Sequence, residues 1–265
     1  MVDTPRPMAT ARIPTEVTEL AEQLLAAQRQ VLGDSLLGLY LFGSATTGSF
    51  QAGVSDVDML AVLATDPGAN DLAGLATMHE GFIKDAPAWY DRVEVDYLSA
   101  TALANFRSSS WRAARISPGE PFHPMQIDHR WVTDWYHVLI SGVTLHGPPP
   151  QRFITPISHR EFVDAVRQQL LDWPDRLTED LGPGGRTYAV LTACRAMRVC
   201  RTGDYVSKKE AAGWAGEQLP EFRHVINAAV AQRYEHQTPG APAGPSLADT
   251  RQFVETVVDL CANSR

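Results

Sequence analysis

The stretch that decides the fold has two parts, LYLFGSATTG, which starts at Leu39, and SDVDMLAV, which starts at Ser55. Its two ends are apolar and rich in residues that favour strands, and the connection that begins at Gly43 is rich in Gly, Ser and Thr. Apolar runs bounded by such residues predict two strands, Leu36–Phe42 and Met59–Leu63, on either side of a polar loop.

Residues with a recognisable chemistry stand at the ends of these strands. Glycine lets a phosphate approach the backbone at Gly43, and Ser44 has a hydroxyl and an N–H to donate to phosphate oxygens. Because side chains alternate along a strand, Asp56 and Asp58 point the same way and can share a divalent cation. Magnesium takes one or two protein carboxylates together with substrate phosphates. The alternative is structural, because Gly-Ser is common in turns and Asp-x-Asp is common where strands begin.

A third strand is predicted at Arg92–Leu98, after a helix at Asn70–Lys84. Valine and tyrosine alternate there with Glu94 and Asp96, so both acids lie on one face. Glu94 can complete the carboxylate cluster of the preceding strand. Asp96 either assists it or is a plain carboxylate near the strand end.

The remaining pattern predicts an α+β chain, in which an N-terminal α/β domain with a mixed sheet precedes an all-helical bundle. A first helix begins near Thr15, the proposed N-cap, and the proline-rich segments Ser117–Ile127 and Gly147–Pro150 interrupt the α/β pattern. The predicted divisions are a tail at 1–14, a nucleotide-handling domain at 15–148 and a helical domain at 149–265. Further helices are predicted at His129–Ser141, Arg160–Leu171, Thr187–Arg201, Lys208–Gln218, Glu221–Tyr234 and Leu247–Ala262, with loops at Gly182–Gly185 and Thr238–Pro245.

Charge and composition exclude several classes of protein. The chain of 265 residues has 23 basic and 31 acidic side chains and a net charge of −8, which disfavours nucleic acid and favours a small cationic partner. Its three cysteines show no zinc or disulfide spacing. Apolar runs are too short for a membrane helix, and the N-terminus lacks a signal-peptide core, so we expect a cytoplasmic monomer without membrane contact.

Two further motifs carry a resemblance to a known family. The Gly43–Asp58 pattern is similar to the signature of the polymerase-beta-like nucleotidyltransferases. The stretches VLTACR at Val190–Arg195 and GDYVSKKEAAGWA at Gly203–Ala215, followed by Leu219-Pro220, resemble the helical domain of the streptomycin and spectinomycin adenylyltransferases. The resemblance implies an enzyme that binds ATP and the antibiotic in a cleft between its two domains.

The resemblance also implies roles for single residues. Asp56, Asp58 and Glu94 become Mg²⁺ ligands, and Glu94 is in addition the catalytic base. The residues that contact the nucleotide are then Gly43, Ser44, Asp56, Asp58, Arg195 and Lys208. From the residues alone, Arg195 can equally be a surface cation, and Lys208 and Lys209 a solvated pair.

The part of the pattern that recognises the acceptor differs from the family. Relatives that modify streptomycin have an acid in the loop before Val190, whereas this chain has Arg186 and glycines there. The remaining candidates for acceptor binding are Trp111, Tyr188 and Asp128. Asp128 can instead cap the following helix, and other tryptophans of the region, Trp131 and Trp135, have the four-residue spacing of core residues.

The sequence therefore predicts an ATP- and Mg²⁺-dependent transfer of AMP to a hydroxyl of an aminoglycoside or aminocyclitol, with release of pyrophosphate. A protein side chain or another metabolite is the alternative acceptor. A nucleotide sensor without catalytic activity is the alternative from a different class. Zinc-hydrolase, Walker A, Rossmann and α/β-hydrolase motifs are missing from the sequence.

Overall fold

The structure is a computed structural model, and it describes residues 11–235 and 244–262. It divides into two compact units, of which the first ends at Ser158 and the second begins at His159. The predicted tail at 1–14 and the predicted loop at 238–245 fall largely outside the described residues. The predicted domain bounds, 15–148 and 149–265, stay a prediction.

The first unit contains a mixed sheet of six strands in the order β5-β4-β3-β2-β1-β6. Only the β2–β3 pair is parallel among the pairs in this sheet of described residues. The strands are β1 Leu36–Phe42, β2 Val57–Leu63, β3 Val93–Ser99, β4 Trp111–Ser117, β5 Glu120–Ile127 and β6 Val143–His146. The helices of this unit are α1 Thr15–Leu32, α2 Ser44–Thr47, α3 Ala69–Asp85, α4 Ala100–Asn105 and α5 Val132–Ser141.

The faces of the sheet differ in what covers them. Alternate residues of the central strands, among them Leu39, Met59 and Val95, pack in one apolar cluster with the buried positions of α1 and α3. The other residues of the same strands, such as Tyr40 and Leu60, are equally buried on the opposite face, and α5 packs against β1. A sheet covered on both faces explains why these strands read as continuous apolar runs.

Three strands were missed by the sequence analysis, which predicted only β1 to β3. The segment Ser117–Ile127, read as an irregular proline-rich stretch, contains β5, and β4 precedes it with Pro118-Gly119 in the turn between them. β5 is an edge strand, where prolines are tolerated because one row of N–H groups has no partner strand. β6 occupies the other edge, immediately before the prolines at Pro148–Pro150.

The second unit is helical, as predicted. Its helices are α6 His159–Leu171, α7 Trp173–Arg176, α8 Pro183–Thr202, α9 Lys208–Gln218, α10 Arg223–Tyr234 and α11 Leu247–Ala262. Its core is formed around α8 by apolar side chains that include Leu191, Cys194, Ile226 and Phe253.

Several predictions about helix ends were wrong. α5 and α10 begin at Val132 and Arg223, two to three residues after the predicted starts, and two further cases lie next to a proline. Thr15 is the first residue of α1, and Pro14 takes the N-cap position without a side-chain cap. α8 begins at Pro183, inside the predicted loop, because proline is well suited to the first turn of a helix, where its missing N–H costs nothing. Bounds of α9 and α11 agree with the prediction.

Candidate active site

The loop between β1 and β2 starts with a turn that only glycine fits. Gly43 has a φ of +73°, in the region that disfavours side chains. A Cβ at this position would overlap the carboxylate of Asp58, which lies directly against the glycine. Hydroxyls of Thr46 and Thr47 donate to the Gly43 carbonyl over 3.1 and 3.2 Å. The turn therefore holds Ser44, the first residue of α2, next to an acidic side chain.

The register of the sheet brings two of the predicted acids together. Asp58 is opposite Phe42 of β1 and opposite Glu94 of the parallel strand β3. Partners in adjacent strands present their side chains on the same face, so Asp58 and Glu94 are neighbours. Their face is the one opposite α1 and α3, since the alternate residues Met59 and Val95 belong to the apolar cluster with those helices.

Asp56 is held by the loops that lead into β2 and β3. The Arg92 guanidinium donates to the Ser55 carbonyl from both Nε, at 3.1 Å, and a terminal nitrogen, at 2.8 Å. The Val57 N–H donates in turn to the Arg92 carbonyl over 2.9 Å. These hydrogen bonds hold the starts of β2 and β3 together. Asp56 lies between Ser55 and Val57, so its backbone position is restrained on both sides.

Glu94 and Asp96 share a partner that the sequence analysis did not identify. The Arg115 guanidinium donates to Glu94 Oε1 at 2.7 Å and to Asp96 Oδ1 at 3.1 Å. The prediction that both acids lie on one strand face is thereby confirmed. Asp96 is 4% exposed and sits in the middle of β3, so the interpretation as a carboxylate near the strand end is wrong.

The site carries more negative charge than this arginine compensates. Burial, followed by repulsion from Asp58, raises the pKa of Glu94 well above its usual range, although Arg115 opposes the shift. Burial likewise raises the pKa of Asp96 to about 7, with Arg115 again opposing and Asp134 of α5 adding to the increase. Clustered carboxylates of this kind are stabilised in their ionised form by a cation.

These donors fit magnesium in chemistry. Asp56 and Asp58 supply the one or two carboxylates that this ion takes from a protein, next to a turn suited to phosphate. However, residues 11–235 and 244–262 contain no group of three or more His, Cys, Asp or Glu side chains close enough together to hold a metal ion. Glu94 instead bonds to Arg115. Its role as a metal ligand stays a prediction.

The predicted nucleotide contacts of the second unit lie beside aromatic rings. Lys208 is the first residue of α9, where Ser207 is the N-cap and accepts from the Glu210 N–H at 3.1 Å. The Lys208 ammonium lies 4.5 Å from the centre of the Tyr188 ring. The Arg195 guanidinium lies 4.7 Å from the centre of the Tyr205 ring. Their contacts with a nucleotide stay a prediction.

The predicted acceptor residues lie in different elements. Asp128 caps a short 3-10 helix, His129–Trp131, by accepting from the Arg130 N–H, and it forms an ion pair with the same arginine. Trp111 begins β4 and donates to the Asn105 carbonyl at 3.3 Å. Tyr188, on α8, is 46% exposed. Their binding roles stay predictions.

The other tryptophans have structural surroundings. Trp135 is 1% exposed and its ring centre lies 4.8 Å from that of Phe106, so it is a core residue. Trp131 lies against the Arg115 guanidinium, 4.6 Å from ring centre to Cζ. No local sequence pattern pointed to Arg115, because its two acidic partners meet it only through strand pairing.

Comparison with known proteins agrees with the motifs and the fold. Residues 152–260 match the model of the family described as the aminoglycoside adenylyltransferase C-terminal domain. The fold is similar to the crystal structure of spectinomycin adenyltransferase AAD(9) from Enterococcus faecialis, which was solved with ATP and spectinomycin. That similarity has a TM-score of 0.73 at 17% identity and covers 91% of this chain and 99% of the other.

The fold and the matched helical domain define a nucleotidyltransferase, as the sequence predicted. More narrowly, the helical part of the chain, residues 152–260, belongs to the aminoglycoside adenylyltransferase C-terminal domain family. None of the described helices is long and apolar enough to cross a membrane.

Proposed function

We propose that the protein transfers AMP from ATP to a hydroxyl of an aminoglycoside or aminocyclitol and so inactivates the antibiotic. The observation that carries this proposal is the strand register that sets Asp58 beside Glu94 and against the Gly43 turn. The family match supports nucleotidyl transfer. The fold shared with an enzyme whose structure was solved with ATP and spectinomycin supports an acceptor of this class.

In the proposed reaction, the acceptor oxygen attacks the α-phosphorus of ATP and the bond to the β-phosphate oxygen breaks, so pyrophosphate leaves. The Glu94 carboxylate accepts the proton of the acceptor hydroxyl. The Gly43-Ser44 turn binds phosphate oxygens through N–H and hydroxyl donors. Asp56 and Asp58 would hold magnesium, which supplies positive charge against the phosphates when bound.

The helical unit supplies cations in this proposal. Arg195 and Lys208 contact the phosphates and stabilise the charge that develops on them during transfer. The cleft between domains that the resemblance implies stays a prediction. Replacing Arg195 or Lys208 by Met tests it, because loss of a phosphate contact raises KM for ATP or lowers kcat, whereas a surface cation changes neither.

The acceptor class is favoured by charge. Asp58, Glu94, Asp96 and Asp134 influence one another electrostatically, and their excess negative charge attracts the amines of an aminoglycoside.

The experiment is an incubation with labelled ATP, MgCl₂ and a panel of aminoglycosides and aminocyclitols, with pyrophosphate and labelled drug measured together. Adenylylated drug and stoichiometric pyrophosphate are expected. Label that appears only on protein would favour the alternative acceptor. ATP binding without pyrophosphate release from any acceptor would favour the nucleotide sensor.

A further inference from the structure

Arg115 links the proposed catalytic base to a second, more deeply buried acid. Its two terminal nitrogens reach different carboxylates, Glu94 at 2.7 Å and Asp96 at 3.1 Å. The side chain of Arg115 is 13% exposed, and those of Glu94 and Asp96 are 18% and 6% exposed. Ion pairs shielded to this degree are less screened by water than surface pairs and have better-defined geometry.

Backbone pairing and an aromatic ring restrain the guanidinium further. Arg115 is opposite Asp96 in the antiparallel β3–β4 pair, so the backbone itself sets their distance. The Arg115 Cζ lies over the Trp131 ring, 4.6 Å from the ring centre. The planar guanidinium of Arg115, held between a strand partner and an aromatic ring, has little conformational freedom. The Glu94 carboxylate that is hydrogen-bonded to it is restricted as well.

Glu94 needs such a restraint because its other neighbours repel it. The charges of Asp58, Asp96 and Asp134 all act against the Glu94 carboxylate, from β2, β3 and α5 respectively. With only these neighbours, repulsion would favour conformations in which the Glu94 carboxylate turns away from Asp58, beside which the proposed function puts the acceptor hydroxyl. Since Arg115 bonds to Oε1, the second oxygen of the carboxylate can accept a proton.

We propose that Arg115 is a positioning residue, which fixes the Glu94 carboxylate beside Asp58 while Asp96 anchors the other arm of the guanidinium. The proposal rests on the function proposed above, in which Glu94 is the base. Arg115 touches neither the nucleotide nor the acceptor in this role and acts through Glu94 alone. Asp96 then contributes through Arg115 and is not a second base.

The decisive test compares Arg115→Met in two backgrounds. In the wild type, loss of the guanidinium is expected to lower kcat for AMP transfer by about 100-fold, the usual effect of a misplaced catalytic group, with KM for ATP changed less than threefold. In a Glu94→Gln background the same substitution is expected to lower kcat less than threefold further, because a residue that acts through Glu94 has nothing left to position. An undiminished effect in that background would overturn the proposal.

Stability is separated from positioning by a third variant. Arg115→Met leaves Asp96 buried without its cation and is expected to lower Tm by about 5–10 °C. Adding Asp96→Asn removes that buried charge and is expected to restore most of the Tm but not kcat. If kcat returned together with Tm, Arg115 would be a purely structural residue.

Arg115→Lys provides the conservative comparison, because a lysine keeps the charge but reaches one carboxylate at a time. Its kcat is expected between those of the wild type and Arg115→Met. Arg112→Met is the matched control on the same strand, since Arg112 is exposed, and its kcat should equal that of the wild type. An Arg115→Met enzyme as active as this control would refute the positioning role.

Binding of Mn²⁺–ATP, followed by electron paramagnetic resonance, gives a readout besides activity. Its Kd is expected to change less than threefold in Arg115→Met, because the Asp56 and Asp58 carboxylates are untouched. A tenfold loss of binding would show that Arg115 supports the whole site, against the proposal. If the wild type bound Mn²⁺–ATP but released no pyrophosphate with any acceptor, the proposed AMP transfer would be refuted. That outcome is measured on the wild type alone and is therefore distinct from a failure of the positioning role of Arg115.

Discussion

At the scale of single residues, Gly43 has a conformation and a neighbour that no other residue type accommodates. Its positive φ already costs a side chain about 1–2 kcal/mol. Its proximity to the Asp58 carboxylate adds a steric overlap that only a shift of the strand end or of Asp58 can relieve. The glycine therefore matters both to the turn and to the position of an acid in the proposed site.

Gly43→Ala is expected to lower AMP transfer by at least about 100-fold, because the added methyl group displaces the Asp58 carboxylate. Gly53→Ala is a matched control: Gly53 has a φ of +74°, but a Cβ there would meet no atom within 4 Å. Both variants should lose about 1–2 kcal/mol of stability from backbone strain, whereas only Gly43→Ala should lose activity. Urea unfolding and pyrophosphate release measure the two effects, and equal activity in the two alanine variants would contradict this account.

The two acids at the start of β2 are also tested one residue at a time. Asp56→Asn and Asp58→Asn keep the side-chain shape but remove the charge that would hold magnesium, so kcat should fall by at least about 100-fold in each. Chelation of divalent cations should abolish the wild-type activity, and added Mg²⁺ should restore it. The exposed Asp34→Asn is the control. Activity that persists in both variants would argue against a metal at these positions.

At the scale of elements, two helices are joined to the sheet by a buried polar network. The Tyr97 hydroxyl of β3 lies 2.8 Å from Nε2 of Gln28, on α1, and 2.8 Å from Nε2 of His79, on α3. The His79 ring also stacks on Phe122 of β5, with ring centres 5.6 Å apart. The network is enclosed, since Gln28 and Tyr97 are 0% and His79 is 2% exposed.

This network makes the first unit sensitive to acid. Burial lowers the pKa of His79 from 6.5 to about 4, so the unfolded chain binds a proton that the folded chain resists. The contribution of His79 to the free energy of unfolding is therefore complete above about pH 6.5. It is lost as the pH falls toward 4, by up to about 3 kcal/mol. Urea unfolding at pH 7.5 and pH 5 should show the loss in the wild type and a smaller loss in His79→Phe. The exposed His129→Gln should keep the wild-type difference, and an identical difference in His79→Phe would contradict the assignment.

At the scale of the whole molecule, each unit has an apolar core of its own. The core of the first unit contains Leu39 of β1, and the core of the second contains Phe253 of α11, both with 0% exposure. The two clusters share no residue. Independent cores usually give separate unfolding transitions.

Calorimetry is accordingly expected to resolve two transitions. Phe253→Ala should destabilise the helical unit by about 3–5 kcal/mol and Leu39→Ala the sheet unit by about 2–5 kcal/mol, the usual cost of an emptied core position. Each variant serves as the control for the other, because each should move one transition and leave the second in place. A single transition that both substitutions shift equally would refute the independence of the cores.

Local patterns predicted much of this architecture, and their failures have a common cause. The ends of helices α9 and α11 were predicted to the residue because helix caps and helical periodicity depend only on residues close together in the sequence. β5 was missed because Pro121 and Pro124 break the strand pattern, and β4 was missed because its two alanines have a low preference for strands. The Pro118-Gly119 turn between them was the available signal for a hairpin. A proline is acceptable in β5 only because this strand is at the edge, which the sheet order decides.

The sequence by itself determined the glycine turn, because of the conformational preference of glycine. It also determined the acids Asp56 and Asp58 at the start of β2 and the placement of Glu94 and Asp96 on one face of β3, because side chains alternate along a strand. Only the tertiary structure decided that Asp58 faces Glu94 and that Arg115 grips Glu94 and Asp96. Those contacts join strands that are distant in the chain. Their register depends on how apolar faces pack around the whole sheet, which no local stretch of sequence specifies.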